Sequence, residues 1–235
     1  GSPYEEGKTQ TRLDLARRRA AEVHAPMIYV NQVGGQDDLV FDGGTFVVDP
    51  DGTLLQRSPM FMEDLAYFTL DTDRDRQEAC DVAPRMDPDE EVYTACVLGL
   101  KDYMAKNGFT GVCLGLSGGI DSALVAAMAA DAVGGGNVYG ISMPSMYSSQ
   151  GSKDDAADLA ANIGAHYDVQ PIKPMYDAFQ QQLALDGVSA ENLQARIRGV
   201  IERGGDAEKL KELALQEGMV TLKEAGMRKV RAGIT

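Results

Sequence analysis

The chain predicts an α/β fold whose second half is built on a parallel sheet, and three observations predict it. From residue 111 onward, apolar stretches rich in Val, Leu and Ile alternate with alanine-rich helical ones over short connections, the pattern of strands joined by helical crossovers. One of those connections, between a buried strand and a helix, is the glycine-bearing run Leu116-Ser117-Gly118-Gly119-Ile120-Asp121-Ser122. Before residue 71 the pattern differs. There an amphipathic helix leads into strands separated by Gly-Gly and Asp-Gly turns, a shorter α/β segment of its own.

The elements follow in order. From Thr11 to Val23, Leu13, Ala16, Ala20 and Val23 recur on one face of a helix, which Pro26 ends by disfavouring helix at the residue before it. The apolar run MIYVNQV (27–33) reads as one buried strand. LVFDGGTFVVD (39–49) reads as strand broken at Gly43-Gly44, and Asp51-Gly52 is a hairpin turn into TLLQR (53–57). Residues 71–91 hold few apolar side chains, two prolines and many acids, the composition of a linker between domains. A helix is expected from about Glu90 to Lys106, with Val92, Ala95, Cys96, Gly99, Leu100 and Tyr103 on one side and Asn107-Gly108 as its stop. Strand 111–116, helix 121–133, glycine loop 134–136, strand 138–143, helix 153–163, strand 166–171 and helix 175–185 complete the alternation. A last amphipathic helix is expected between Ala207 and Arg231.

Composition narrows the function. The 235 residues are 44% hydrophobic and 25% charged, enough for one or two domains with a buried core. A formal net charge of −14 excludes a broad electrostatic grip on nucleic acid or on an anionic membrane. Loop amides and helix N-termini still bind phosphate locally without a basic surface. No apolar run approaches the roughly 20 residues of a membrane span, and no signal peptide opens the sequence. Cys80, Cys96 and Cys113 have no metal-ligand spacing, and an odd count fits a reducing compartment. His24 and His166 stand alone and read as ordinary surface or half-buried residues. The expectation is a cytoplasmic protein. The chain opens on Gly1-Ser2-Pro3, without Met, which reads either as a cloning scar or as a start inside a longer sequence.

The glycine run is where chemistry is expected. Glycines let the backbone approach a ligand and take turn conformations closed to other residues. Their amides, with the N-terminus of the next helix, make a concave anion site to which Ser117 and Ser122 add hydroxyls. Asp121 beside such a site would repel bare phosphate, which suggests a bridging Mg²⁺. No Walker A lysine follows, so the loop is of another kind.

The motif resembles that of the PP-loop ATP pyrophosphatases, which have an adenine nucleotide alpha hydrolase-like fold. Three stretches, 100–134, SMPSMYSSQGSKDDAADLAANIG (142–164) and AENLQARIRG (190–199), resemble NAD synthetase of the glutamine-dependent type. SPYEEGKTQTR (2–12) with YVNQVGGQDDLVFDGGTFVVDPDG (29–52) is similar to the C-terminal part of that family's nitrilase-like glutaminase domain. The implied organisation is a partial nitrilase-like segment (1–70), a linker (71–91), a partial synthetase domain (92–199) and a helical tail (200–235).

The resemblance implies an ATP-dependent ligase that amidates deamido-NAD through an acyl-adenylate, with ammonia from glutamine. It assigns Gly115, Ser117, Gly118, Gly119, Asp121 and Ser122 to ATP, with Asp121 also a Mg²⁺ ligand. Tyr103, Asn192 and Arg196 are assigned to deamido-NAD; the last two lie four apart, on one helix face. In SSQGSKDDA (148–156), Ser152 and Asp155 are three apart, a capping-box variant at a helix start, and the segment, at the carboxyl edge after the second strand, reads either as that cap or as an ATP contact. The family usually dimerises through its synthetase domains, so a homo-oligomer is expected.

The pattern departs from the family in two places. The Cys–Glu–Lys triad of the glutaminase should lie upstream of Ser2, and none of Cys80, Cys96 and Cys113 has the nucleophile's context, so no catalytic residue is assigned. After Gly199 the family pattern stops, and residues from about 207 resemble the end of type II secretion and type IV pilus assembly ATPases. The expectation is an incomplete module; the alternative is a truncated or chimeric non-catalytic protein that at most binds ATP weakly.

Overall fold

The computed structural model describes residues 1–71, 73, 77–145 and 148–183. It divides into two compact units, the first ending at Thr110 and the second beginning at Gly111.

In the first unit α1 (Lys8–Val23) lays Leu13, Ala16 and Ala20 against Phe46 and Val48, with Met27, Tyr29 and Leu54 around them. Three of the four residues expected on the apolar face are buried there; Val23, in the last turn of the helix, is instead 61% exposed. An antiparallel sheet supplies the other side of this core, in the order β1 (Met27–Tyr29), β4 (Phe46–Val48), β5 (Leu54–Arg57). The central strand, β4, is buried at all three positions. The turn after β4 works as Asp51-Gly52 predicts: Gly52 has φ +86°, the Asp51 carboxylate accepts from Thr53 N–H, and Asp49 N–H donates to Thr53 C=O at 2.9 Å.

Residues 27–33 do not form one strand. β1 ends at Tyr29, and β2 (Val33–Gln36) belongs to a separate hairpin with β3 (Leu39–Asp42). The break has a polar cause. Asn31 turns inward, where Nδ2 donates to Ser2 C=O and to Asp42 Oδ1, both at 3.0 Å, and Oδ1 accepts from Ser2 N–H. Arg12 completes the knot, with Nη1 2.6 Å from Asp42 Oδ2 and Nη2 donating to the Ser2 and Pro3 carbonyls. The Arg12 and Asp42 side chains are only 9% and 1% exposed, so each charge depends on the other and on these hydrogen bonds.

The long helix α2 (Pro88–Asn107) starts at Asp87, whose carboxylate accepts from Asp89 N–H, and ends at Gly108 with φ +70°. It belongs to the first unit and packs on the β2–β3 hairpin. Gln36 and Leu39 pair across the Asp37-Asp38 turn, so Gly35, one step on, points its main-chain groups away from β3. Asp102 Oδ2 accepts from Gly35 N–H at 2.7 Å, and Lys106 Nζ donates to Gly35 C=O. One turn of α2 thus supplies the partners a further strand would give. The approach is close: a Cβ on Gly35 would stand 3.1 Å from Gly99 Cα.

The segment 80–83 runs beside β5 through main-chain bonds, Cys80 N–H to Leu55 C=O, Arg57 N–H to Asp81 C=O and Ala83 N–H to Arg57 C=O. Burial lowers the Arg57 pKa, and nearby Arg85 lowers it further. Burial also raises the pKa values of the Tyr4 phenol and the Glu91 carboxyl. Glu91 adds to the effect on Tyr4, and Asp42 adds to that on Glu91, where Arg85 opposes it.

The second unit holds the parallel sheet, in the order β6 (Val112–Gly115), β7 (Val138–Ser142), β8 (His166–Val169). Helices α3 (Ile120–Val133) and α4 (Gln150–Ile163) connect the strands, and α5 (Lys173–Leu183) follows. Leu116, Ala126, Ala156 and Ala160 form the core, with Leu114, Leu159, Ile163 and Tyr167 against it. Small side chains let α3 and α4 come together over the sheet. Cys113, expected in a core strand, is exposed. Leu114 packs into the core, so its neighbour Cys113 faces the other side of β6, which is an outer strand among the described residues. No helix among the described residues is long and apolar enough to cross a membrane.

Candidate nucleotide site

The site grows from the end of β6. Leu116 N–H still donates to Ile141 C=O at 2.9 Å, and its side chain, 2% exposed, anchors the loop in the core. Gly140 makes room for it, because a Cβ there would stand 2.4 Å from Leu116 Cδ1. The chain then turns outward through Ser117 and reaches Gly118 at φ +78°. Gly119 is the N-cap of α3 and, lacking a side chain, gives it no side-chain cap. The first amides of α3 are therefore left for another acceptor.

Two hydroxyls shape the loop. Ser117 Oγ accepts from Gly119 N–H at 3.2 Å, Ser122 Oγ accepts from Ser117 N–H at 3.3 Å, and the two oxygens lie 3.1 Å apart. Ser122 Oγ also donates to Gly119 C=O at 3.0 Å. The sequence suggests donors aimed at a ligand; the structure has both hydroxyls holding the loop to itself. Asp121 is exposed in the first turn of α3. Among the described residues no three His, Cys, Asp or Glu side chains gather to hold a metal.

The opposite wall is the start of α4. Ser149 is its N-cap, with Oγ accepting from Ser152 N–H at 3.1 Å. The capping reading of Ser152 with Asp155 is thus corrected: the helix begins earlier, and Ser152 is the capped residue. A cavity of about 180 Å³ opens here, lined by Gly115 and Ser117 on the loop side, Ser142 at the end of β7, and Ser148, Ser152 and Lys153. Gly118, Gly119, Asp121 and Ser122 are in the same loop but do not line that cavity. Sequence reasoning missed Ser142, and Lys153 was not singled out within the segment 148–156. Neither sits in a glycine motif, and only the pairing of β6 with β7 brings them to the loop. Tyr103 stands on α2 in the first unit, 53% exposed, its ring centroid 6.0 Å from that of Phe109. Asn192, Arg196 and the 200–235 tail lie outside the described residues.

A parallel sheet whose first described strand ends in a glycine loop, with uncapped helix amides beside a cavity, defines an α/β protein of the open parallel-sheet class, with the geometry of an anion site at that loop. The NAD synthase family model matches residues 92–216, past the point where the resemblance read from the sequence stops, and the carbon-nitrogen hydrolase model matches residues 1–77. The chain belongs to the NAD synthase family. It is 49% identical over 210 residues to a glutamine-dependent NAD(+) synthetase of Rhodobacter capsulatus, covering 86% of this chain and 38% of that one. The corresponding synthetase of Acinetobacter baylyi is 42% identical over 209 residues, covering 86% and 39%. The chain thus spans about two fifths of the length of these curated relatives. Among solved structures, a glutamine-dependent NAD+ synthetase from Acinetobacter baumannii in complex with ADP superposes with a TM-score of 0.82 at 37% identity, covering all of this chain and 44% of that one. The synthetase of Cytophaga hutchinsonii shares the fold, with a TM-score of 0.68 at 19% identity over 91% of this chain and 42% of that one.

Proposed function

We propose that this chain carries the ATP-handling part of a ligase that converts deamido-NAD to NAD. The observation that carries the reading is the cavity between the glycine loop at the end of β6 and the first turn of α4. In this reading Gly115, Ser117, Gly118, Gly119 and Ser122 bind the phosphates of ATP. Tyr103, Asn192 and Arg196 bind deamido-NAD. The modules divide near residues 70 and 91, and none of Cys80, Cys96 and Cys113 is a glutaminase nucleophile.

A carboxylate oxygen of the nicotinate ring attacks the α-phosphorus of ATP. The bond from that phosphorus to its bridging oxygen breaks, and pyrophosphate leaves with the electron pair. Ammonia, derived from glutamine, then attacks the carbonyl carbon of the acyl-adenylate. AMP departs with the C–O pair, a proton is lost, and the amide remains. Loop amides fixed by the Ser117–Ser122 bonds stabilise the charge that gathers on the leaving pyrophosphate without having to reorganise. Asp121 would hold Mg²⁺, which when bound would neutralise phosphate charge.

Calorimetric titration with Mg·ATP tests the reading. Binding that weakens in both Asp121→Asn and Gly118→Val supports it. Binding left unchanged by the two substitutions together would remove the loop from the site. Pyrophosphate release that depends on deamido-NAD, and fails in Arg196→Ala, would support the substrate assignment.

A further inference from the structure

The cavity beside the glycine loop contains a charge that the proposed reaction has not yet used. Of the described residues that line it, Lys153 alone is charged; glycine, proline, apolar and hydroxyl-bearing residues make up the rest. Lys153 is half-buried, and no described residue gives it an ion pair. The neighbouring acid Asp154 accepts instead from Gln150 Nε2, at 2.8 Å. Lys153 also lies in the first turn of α4, where the aligned peptide dipoles already present positive charge. An anion reaching that point would meet both the ammonium and the helix amides. Ser117 at the start of the glycine loop and Lys153 on the α4 wall line the same space, so the ammonium faces the loop. The two walls are also held in register, because a Cβ on Gly118 would collide with Ser152 C=O, one residue before Lys153.

We propose that Lys153 binds a phosphate group of the nucleotide from the α4 wall of this cavity, as a point charge facing the glycine loop. The inference rests on reading the cavity as the ATP site, and it makes the ligand's pyrophosphate, not its nucleoside, the group that Lys153 recognises.

Calorimetric titration of the full chain and of Lys153→Met and Lys153→Arg, with ATP, inorganic pyrophosphate and adenosine as separate probes, tests it. Methionine keeps the aliphatic stem and removes the charge. The expected result is a loss of about ten- to a hundredfold in affinity for ATP and pyrophosphate in Lys153→Met, most of it recovered in Lys153→Arg, with adenosine unaffected. Wild-type binding of ATP that Lys153→Met leaves intact overturns the role of Lys153 while the cavity remains the site. An equal loss for adenosine overturns it too, since the side chain would then be supporting α4. If the wild-type chain binds neither ATP nor pyrophosphate, the cavity is not the site, and the proposal falls with that reading.

Discussion

Gly118 and Ser152 meet backbone to backbone: a Cβ on the glycine would stand 2.1 Å from the serine carbonyl oxygen. No side-chain rotation relieves that distance, and at φ +78° an L-residue would be strained even in open space. Gly118→Ala should therefore cost about 1–3 kcal/mol in chemical denaturation, because the loop or α4 has to move. Stability equal to the wild type would mean that loop and helix separate freely, and the cavity between them would lose its definition.

The loop was legible because its chemistry is local. Two adjacent glycines after an apolar strand and before an alanine-rich helix leave few alternatives. The break at residues 30–32 was hidden, since MIYVNQV has the apolar run of one strand and the knot that breaks it draws on Arg12 and Asp42, both distant in sequence. The pairing of residues 80–83 with β5 was hidden for another reason. It uses main-chain atoms, which an acid-rich composition does not reveal. Lys153 could not be singled out within 148–156, because its place in the cavity depends on how the start of α4 meets the loop after β6.

Arg12→Ala should destabilise the first unit by about 3–5 kcal/mol, the usual result of leaving a buried carboxylate without its partner. The observation behind it is the 2.6 Å contact with Asp42, whose side chain is 1% exposed. Denaturation followed in the first unit checks it. A loss below about 1 kcal/mol, the range of surface pairs, would count against this description of the knot.

Asp121→Asn should separate the contributions of nucleotide and metal. At a ligand concentration equal to its Kd, binding stabilises the native state by about 0.4 kcal/mol. In thermal scans the wild type should gain more from ATP with Mg²⁺ than without, and the variant should gain equally in both. A Mg²⁺-dependent gain that survives in the variant would place the ion elsewhere.

The Glu91 carboxyl gives a pH prediction with a definite sign. Burial raises its pKa above the ordinary 4.5, so the folded protein holds this proton more tightly than the unfolded chain. Its contribution is full below 4.5 and is lost as pH rises through the higher folded value. Glu91→Gln should then be the more stable protein at neutral pH, with the advantage shrinking on acidification toward 4.5. An advantage that is constant with pH, or grows on acidification, would contradict the assignment.

The main-chain atoms of Gly35 have a consequence for how the molecule comes apart. The hydrolase-like match ends at residue 77 and the synthase-like match begins at 92, yet Asp102 and Lys106 of the second stretch complete a strand edge in the first. A boundary drawn in sequence is therefore not a line of weakness in the fold. A peptide cut before residue 88 would carry that edge bare, and bare strand edges recruit other copies of themselves. In the intact chain the Gly35 amide should exchange its hydrogen only when helix and hairpin open together, as a single cooperative event spanning two ancestries.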